Sequence, residues 1–244
     1  MNKIAPLITA GMAILVGLAS FQPGVGRGDG RFADVVVDPA KETITLHWKD
    51  KVGHVVGNIA ALKTVLTEQG RTLVMAMNGG MYTVDRSPVG LYIEDGKVLR
   101  TLNTSRGGSD NFHLMPNGVF GLLEDGSAFV CTTEMYPEQK HVRYATQSGP
   151  MLVVDGMINA NFKQGSQNLN IRNGVGIRKD GQLVFAISKE PVNFHDFASY
   201  FKTNGCVNAL YLDGAISRAY IPTAGLEQLD GDLGVLIAVS APSP

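Results

Sequence analysis

The stretch Asn193-Phe194-His195-Asp196-Phe197-Ala198-Ser199-Tyr200-Phe201, closed by Gly205 and followed by Val207-Asn208-Ala209-Leu210-Tyr211-Leu212-Asp213, sets the class of fold. Asn193 is a capping residue, and Phe194, Phe197, Ala198 and Phe201 fall on one stripe at helical spacing. Gly205 stops the helix, and the apolar run 207–212 reads as a buried strand. The same order occurs earlier. Asn58 opens a helix with Ile59, Leu62, Val65 and Leu66 on one face, Gly70 ends it, and the apolar run 73–77 follows.

Between and around these two units the chain is punctuated by turns. Glu94-Asp95-Gly96-Lys97, Pro116-Asn117-Gly118, Glu124-Asp125-Gly126-Ser127, Val154-Asp155-Gly156-Met157 and Lys179-Asp180-Gly181-Gln182 each separate apolar runs. Asp-Gly and Asn-Gly tolerate positive φ and suit tight hairpins, so all five read as strand-turn-strand units. Two helix-then-strand units among many hairpins give the expectation of a single α+β domain. In it, a curved, mostly antiparallel sheet is packed by two main helices.

Composition agrees. The 244 residues are 44% hydrophobic and 18% charged, enough to build a sizeable core and against disorder. The 29 glycines exceed the typical level of roughly 7% and fall singly between apolar stretches, as in a turn-rich sheet protein. Lys and Arg total 21 against 22 Asp and Glu, and no basic run occurs, so an electrostatic nucleic-acid binder is not expected.

Residues 1–20 read as an export signal, with Lys3 the only charge, an apolar stretch from Ile4 to Val16 and small residues at Gly17-Leu18-Ala19-Ser20. Residues 21–31 then form a glycine-rich flexible leader, and 32–240 the folded domain. The expected location is periplasmic or secreted, with membrane contact only through the signal segment. The alternative is a membrane anchor left uncleaved, since the apolar stretch approaches the roughly 17 residues a span needs. Cys131 and Cys206 are either a disulfide in an oxidising compartment or two small buried hydrophobes, as neither has a Cys-x-x-Cys or metal spacing.

Both helix-following strands end in polar residues at turns, Asn78-Gly79-Gly80-Met81-Tyr82 and Asp213-Gly214-Ala215-Ile216-Ser217. Polar groups at the end of a buried strand are held rigidly yet face a cleft, which makes Asn78 and Asp213 candidate site residues. The plainer alternative is that each only binds its own turn. Ser148, before Gly149-Pro150, is either a site hydroxyl or a turn residue. Arg172 enters the glycine-lined strand Asn173-Gly174-Val175-Gly176-Ile177. A guanidinium there must pair with an anion or carboxylate, or else send its head to solvent over a packed stem. The five histidines lack zinc spacing, and phosphate-loop, Gly-x-Gly-x-x-Gly and Gly-x-Ser-x-Gly patterns are missing.

Taken in order, Asn78-Gly79-Gly80-Met81-Tyr82, Pro88-Val89-Gly90-Leu91, Ser148-Gly149-Pro150-Met151-Leu152-Val153, Ile171-Arg172-Asn173-Gly174-Val175-Gly176 and Leu210 to Ser217 resemble the phosphodiester glycosidase family over about residues 32–240. Where that family often has Arg-Thr this chain has Arg172-Asn173, and where it often has Asp-Gly-Gly-Gly-Ser this chain has Ala215-Ile216 in place of two glycines. The resemblance implies hydrolysis of a sugar-1-phosphodiester at the anomeric carbon. It casts Asp213 as base or nucleophile, Arg172 as phosphate clamp and Asn78 as orienting partner, with Ser148, Gly149, Asn173, Gly214 and Ser217 lining the substrate. Asp85 and Asp110 are the candidates for a second carboxylate. No metal site and no required cofactor are expected, a divalent ion brought by the phosphate onto Asp213 being the alternative. The expected partner is a glycosyl-phosphate or envelope glycan. The competing function is a module that binds such a ligand without turnover.

Overall fold

In the computed structural model the described residues are 29–108, 110–136, 141–213 and 216–244. The expected signal segment, residues 21–28 of the leader, and Gly214 and Ala215 lie outside them. The chain is a single α+β domain in which every paired strand runs antiparallel to its neighbours.

The strands are β1 (Phe32–Val37), β2 (Thr43–His47), β3 (Arg71–Asn78), β4 (Tyr92–Glu94), β5 (Lys97–Arg100), β6 (Gly118–Leu123), β7 (Ala128–Thr132) and β8 (Val142–Ser148). They continue with β9 (Met151–Val154), β10 (Met157–Ile158), β11 (Asn173–Arg178), β12 (Leu183–Ser188), β13 (Cys206–Asp213), β14 (Ala219–Ile221), β15 (Leu226–Glu227) and β16 (Leu236–Pro242). The one curved sheet expected from the sequence is three sheets. Their orders are β1-β12-β11-β13-β9-β10, β15-β14-β3-β16-β2 and β5-β4-β8-β6-β7. Hairpin signals report which neighbours turn back on each other and carry no information on where one sheet stops.

All three sheets turn one face to a common core. Val35, Leu46, Met75, Tyr92, Phe120, Val175, Phe185, Leu212 and Ile237 meet there. The period of two does the sorting along β12, where Leu183, Phe185 and Ile187 enter the common core while Val184 and Ala186 face outward. Helix α2 (Phe194–Thr203) covers that outward face with Phe194, Phe197, Ala198 and Phe201. Helix α1 (Ile59–Glu68) covers β3 and β16 with Ile59, Leu62 and Leu66. Both starts are as read from sequence: the Asn58 side chain accepts from Ala61 N at 2.8 Å, and Asn193 accepts from Asp196 N at 2.9 Å. Gly70 and Gly205 follow the helix ends with φ of 71° and 82°.

Four of the five turns are hairpins, with Gly96, Gly126, Gly156 and Gly181 all at positive φ. Pro116-Asn117-Gly118 is not. It leads from a short 3-10 segment (Asn111–His113) into β6, with Asn117 buried and donating to Phe112 O at 3.1 Å. An Asn-Gly pair suits a hairpin only when an apolar strand precedes it, and here the preceding residues include His113. Cys131 and Cys206 are both free thiols, and burial pushes them up to about 11 and about 12.

The strand β11 lies directly beneath α2. A Cβ on Gly174 would sit 2.8 Å from Leu210 O and 3.2 Å from the Phe201 ring, so the helix and neighbouring strand approach as closely as they do only because the position is glycine.

His47 on β2 is buried, its Nε2 2.8 Å from Thr45 Oγ1. Burial pushes its pKa from the ordinary 6.5 down to about 4. The imidazole is therefore neutral in the fold while the unfolded chain takes up a proton below about 6.5, so stability falls as pH drops from there to about 4 and levels off below. Urea denaturation across this window is expected to show a fall of about 3 kcal/mol that a His47→Gln variant lacks. Parallel curves for the two proteins would contradict it.

Candidate active site

Asn78 ends β3 and Asp213 ends β13, strands of different sheets, and the two side chains meet in the interior. Asn78 Nδ2 donates to Asp213 Oδ2 at 2.9 Å and to Ile216 O at 2.9 Å. Its Oδ1 accepts from Arg218 N at 2.8 Å and from Asn173 Nδ2 at 3.1 Å. Asn173 Nδ2 also reaches Asn78 O at 2.8 Å. These donors fix which end of the Asn78 amide is oxygen, and so require its NH2 to face the Asp213 carboxylate. Ser217 Oγ donates to Ile171 O at 3.1 Å and lies 3.4 Å from Asn173 Oδ1. Asn78, Asn173, Asp213 and Ser217 are each at most 5% exposed. This is a tertiary network, not four turns bonded to themselves.

The geometry of β13 against β11 aims it. Asn173 pairs with Asp213 but Gly174 pairs with Tyr211, so one extra residue is inserted on β13. The bulge turns Asp213 to the β3 side, which Asn173 shares with Val175 by the alternation of β11, while Tyr211 stays on the α2 side.

Arg172 lies on that α2 side, with no exposed surface. Its Nε donates to Val192 O at 2.8 Å and its Nη2 to Asn168 O at 3.0 Å and Asn168 Oδ1 at 3.2 Å. The guanidinium carbon stands 3.6 Å from the centroid of the Phe194 ring. The solvent-reaching head allowed by the sequence is corrected by this burial. Two of its three nitrogens are already engaged, so a two-pronged grip on a ligand through them is not open; Nη1 has no partner. Burial holds the guanidinium below its ordinary pKa.

Ser148 is fully buried and donates to Leu212 O at 2.8 Å, which ties β8 to the strand that carries Asp213. A Cβ on Gly149 would lie 2.7 Å from Asn117 Cβ, so this glycine is needed for close packing. Asp85 belongs to its own turn. Hydrogen bonds from Thr83 and Ser87 hold its carboxyl down at about 2. Asp110 caps the 3-10 segment and contacts His113 Nδ1 at 2.7 Å. Among the described residues neither enters the Asn78–Asp213 network. No group of three or more His, Cys, Asp or Glu side chains among them is arranged to hold a metal. Beside the network, Asn170, Ile171, Ile216, Ser217, Arg218 and Asp230 to Asp232 line an open cleft of about 470 Å³.

Three contributors escaped the sequence reading. Tyr82 donates to Asp232 O, and burial, with the Asp213 charge second, pushes its phenol up to about 12. Gln147 is consumed in structure: its Oε1 accepts from Leu91 N and Asn103 N while its Nε2 donates to Asn103 O and Thr133 Oγ1. Tyr211 is buried beside Arg172 with its hydroxyl unpartnered. Tyr82 and Tyr211 stand inside the quoted motifs and Gln147 directly precedes one, but a tyrosine beside apolar residues reads as core.

The domain is thus a three-sheet antiparallel α+β fold with a buried carboxylate bonded to an amide at a strand end. The chain belongs to the phosphodiester glycosidase family, whose model matches residues 71–233. It is 40% identical over 186 residues to the uncharacterized protein YigE of Escherichia coli (strain K12), covering 76% of this chain and 72% of that one. The zebrafish N-acetylglucosamine-1-phosphodiester alpha-N-acetylglucosaminidase catalytic domain has the same fold. Its TM-score is 0.59 at 15% identity, over 89% of this chain and 87% of that chain. A hypothetical protein from Synechocystis gives 0.55 at 12% identity, over 90% of this chain and 61% of that one.

Asn78→Asp tests the network. The change keeps the size but removes two donors and sets a second carboxylate against Asp213. Stability at pH 7 should fall by about 3 kcal/mol. One carboxyl of the pair then has its folded-state pKa raised above the unfolded value, so the fold binds the extra proton and stability returns in part as pH falls through that pKa. Denaturant unfolding at pH 7 and pH 5 checks this; an equal loss at both would remove Asn78 from Asp213.

Proposed function

We propose that the chain hydrolyses a sugar-1-phosphodiester, of the N-acetylglucosamine-1-phosphodiester kind, in the cell envelope. Family membership supports the reaction class. The observation that carries the residue assignment is the Asp213 carboxylate at the end of β13, oriented by the Asn78 amide. In such a substrate the bond from the anomeric carbon to the phosphate oxygen breaks, and the electron pair leaves with the phosphate. A phosphate monoester is a good leaving group, so little protonation is required. The need is at the other end, where positive charge builds on the anomeric carbon. A fixed carboxylate stabilises that charge and takes the proton of the incoming water, or attacks the carbon directly; Asp213 is the residue for either role. The Asn78 amide orients that carboxylate. Asn173 and Ser217 hold Asn78, and through it Asp213, in place.

Residues 1–20 would deliver the chain to the periplasm or medium, the substrate being a glycosyl-phosphate or envelope glycan and not a nucleic acid. The step draws on no cofactor. Activity lost to a chelator and restored by Mg²⁺ or Ca²⁺ would show that an ion comes with the phosphate.

Purified protein should release free sugar from UDP-N-acetylglucosamine or from a methyl-phosphate diester. Asp213→Asn keeps the size and the hydrogen bond but removes the charge, and hydrolysis should fall by at least roughly a hundredfold with the thermal transition unchanged. Binding of the diester without turnover by the native protein would instead assign a glycosyl-phosphate binding module. Arg172→Lys forfeits the bonds to Val192 and Asn168, so it should lower stability as well as affinity and is the poorer probe of the two.

A further inference from the structure

Arg172 is a fully buried guanidinium whose hydrogen bonds go to uncharged groups, Val192 O and the Asn168 oxygens. Its Nη1 is buried with no acceptor. Next to it Tyr211, equally buried, has a hydroxyl with no partner. The guanidinium carbon is 5.4 Å from the Tyr211 ring centroid, yet no hydrogen bond of ordinary geometry joins Nη1 to Oη. An orphaned buried polar group is costly, and here two stand side by side, one just before β11 and one on β13, the strands that carry Asn173 and Asp213. The Phe194 ring fixes the geometry: Arg172 lies over it, and Tyr211 meets it edge-on at 4.9 Å.

We propose that Tyr211 is the second donor of an oxyanion site begun by Arg172. Its phenol O–H and the Arg172 Nη1–H together take one non-bridging oxygen of the substrate phosphate. This rests on the phosphodiester reading above. A water between the two groups would accept both bonds but bring two O–H donors of its own to the side of the Phe194 ring. An anionic oxygen accepts both, brings no donor and supplies the missing counter-charge. The exposed segment 160–170 lies across the column, through Asn168 on Arg172 and Phe162 stacked on Phe194 at 4.9 Å. Because Arg172 and Tyr211 have no exposed surface, a ligand reaches them only if a covering segment moves aside.

Tyr211→Phe removes only the hydroxyl. Because that group has no partner in the unliganded fold, the variant should melt at the same temperature or about 2 °C higher, where a structural hydrogen bond would give a loss. Inorganic phosphate should raise the melting temperature of the native protein at constant ionic strength and fail to do so for the variant. With the diester, KM should rise roughly tenfold while kcat changes less than about threefold, since the bond is made in ground and transition states alike. A phosphate-soaked crystal of the native protein should place an oxygen within hydrogen-bond distance of Tyr211 Oη, a readout that survives a misfolded variant. A phosphate shift retained by Tyr211→Phe, no shift in the native protein, or a water alone at Oη in the soaked crystal would each overturn the proposal. Should no sugar be released while phosphate binding still depends on Tyr211, the hydrolase reading fails and the oxyanion site stands. If Asp213→Asn abolishes hydrolysis and Tyr211→Phe matches the native enzyme, the site fails alone.

Discussion

The Asn78 amide is the point at which two of the three sheets are locked together. It ends β3 in one sheet, and its side chain reaches Asp213 and Asn173 of another as well as the backbone at Ile216 and Arg218. An amide offers two donors and an acceptor with two lone pairs, and here all of them are engaged in named contacts. Buried polar networks are worth their desolvation only when complete, since a half-satisfied one costs more than an apolar core. Completion also gives direction: because the Asn78 oxygen is filled from the Arg218 backbone and Asn173, its amide donors are turned to the carboxylate and to Ile216 O. The rigidity of the β3 and β16 core, with Met77 and Ile237 fully buried, is thereby transmitted to the Asp213 carboxylate.

The β13 bulge separates two electrostatic environments that a regular ladder would have merged. Without the extra residue, Asp213 would stand on the same face as Tyr211, on the Arg172 side. A guanidinium alongside would bind the carboxylate as an ion pair. Instead Arg172 engages carbonyls and the Phe194 ring, and Asp213 engages an amide. Tyr211 feels both: burial pushes its phenol up first, Arg172 next draws it down and Asp213 raises it. A buried guanidinium and a buried carboxylate are thus kept on either side of one strand end.

The sequence displayed the parts of this arrangement whose cause is local. Both helices start at the asparagines that cap them because an N-cap bond spans three residues, and both stop beside a glycine at positive φ. The hairpins at Gly96, Gly126, Gly156 and Gly181 are legible for the same reason. Asn78 and Asp213 stood out because each ends an apolar run. The division into three sheets was not legible, since it depends on pairings such as β16 with β3 that join residues more than 150 positions apart. Nor was the environment of Arg172. Whether an arginine in a glycine-lined strand meets an anion, a carboxylate or solvent is settled by Val192, Asn168 and Phe194, which the fold brings in from the flanking segments. Tyr211 was hidden by its own type, because an apolar neighbourhood makes a tyrosine look like packing.

Glycine content has a related meaning here. Gly174 and Gly176 fall on the α2 face of β11, where added Cβ atoms would lie 2.8 Å from Leu210 O and 2.5 Å from Cys206 Sγ. Side chains there would lift α2 from the sheet, and with it Phe194, which caps the Arg172 guanidinium from the helix's first residue. The guanidinium is fully buried only because that ring can come within 3.6 Å, and it lacks a full set of partners only because the ring, and not a polar group, fills the space. A strand that reads as turn-prone from its composition is therefore what sets how deeply the Arg172 guanidinium is buried.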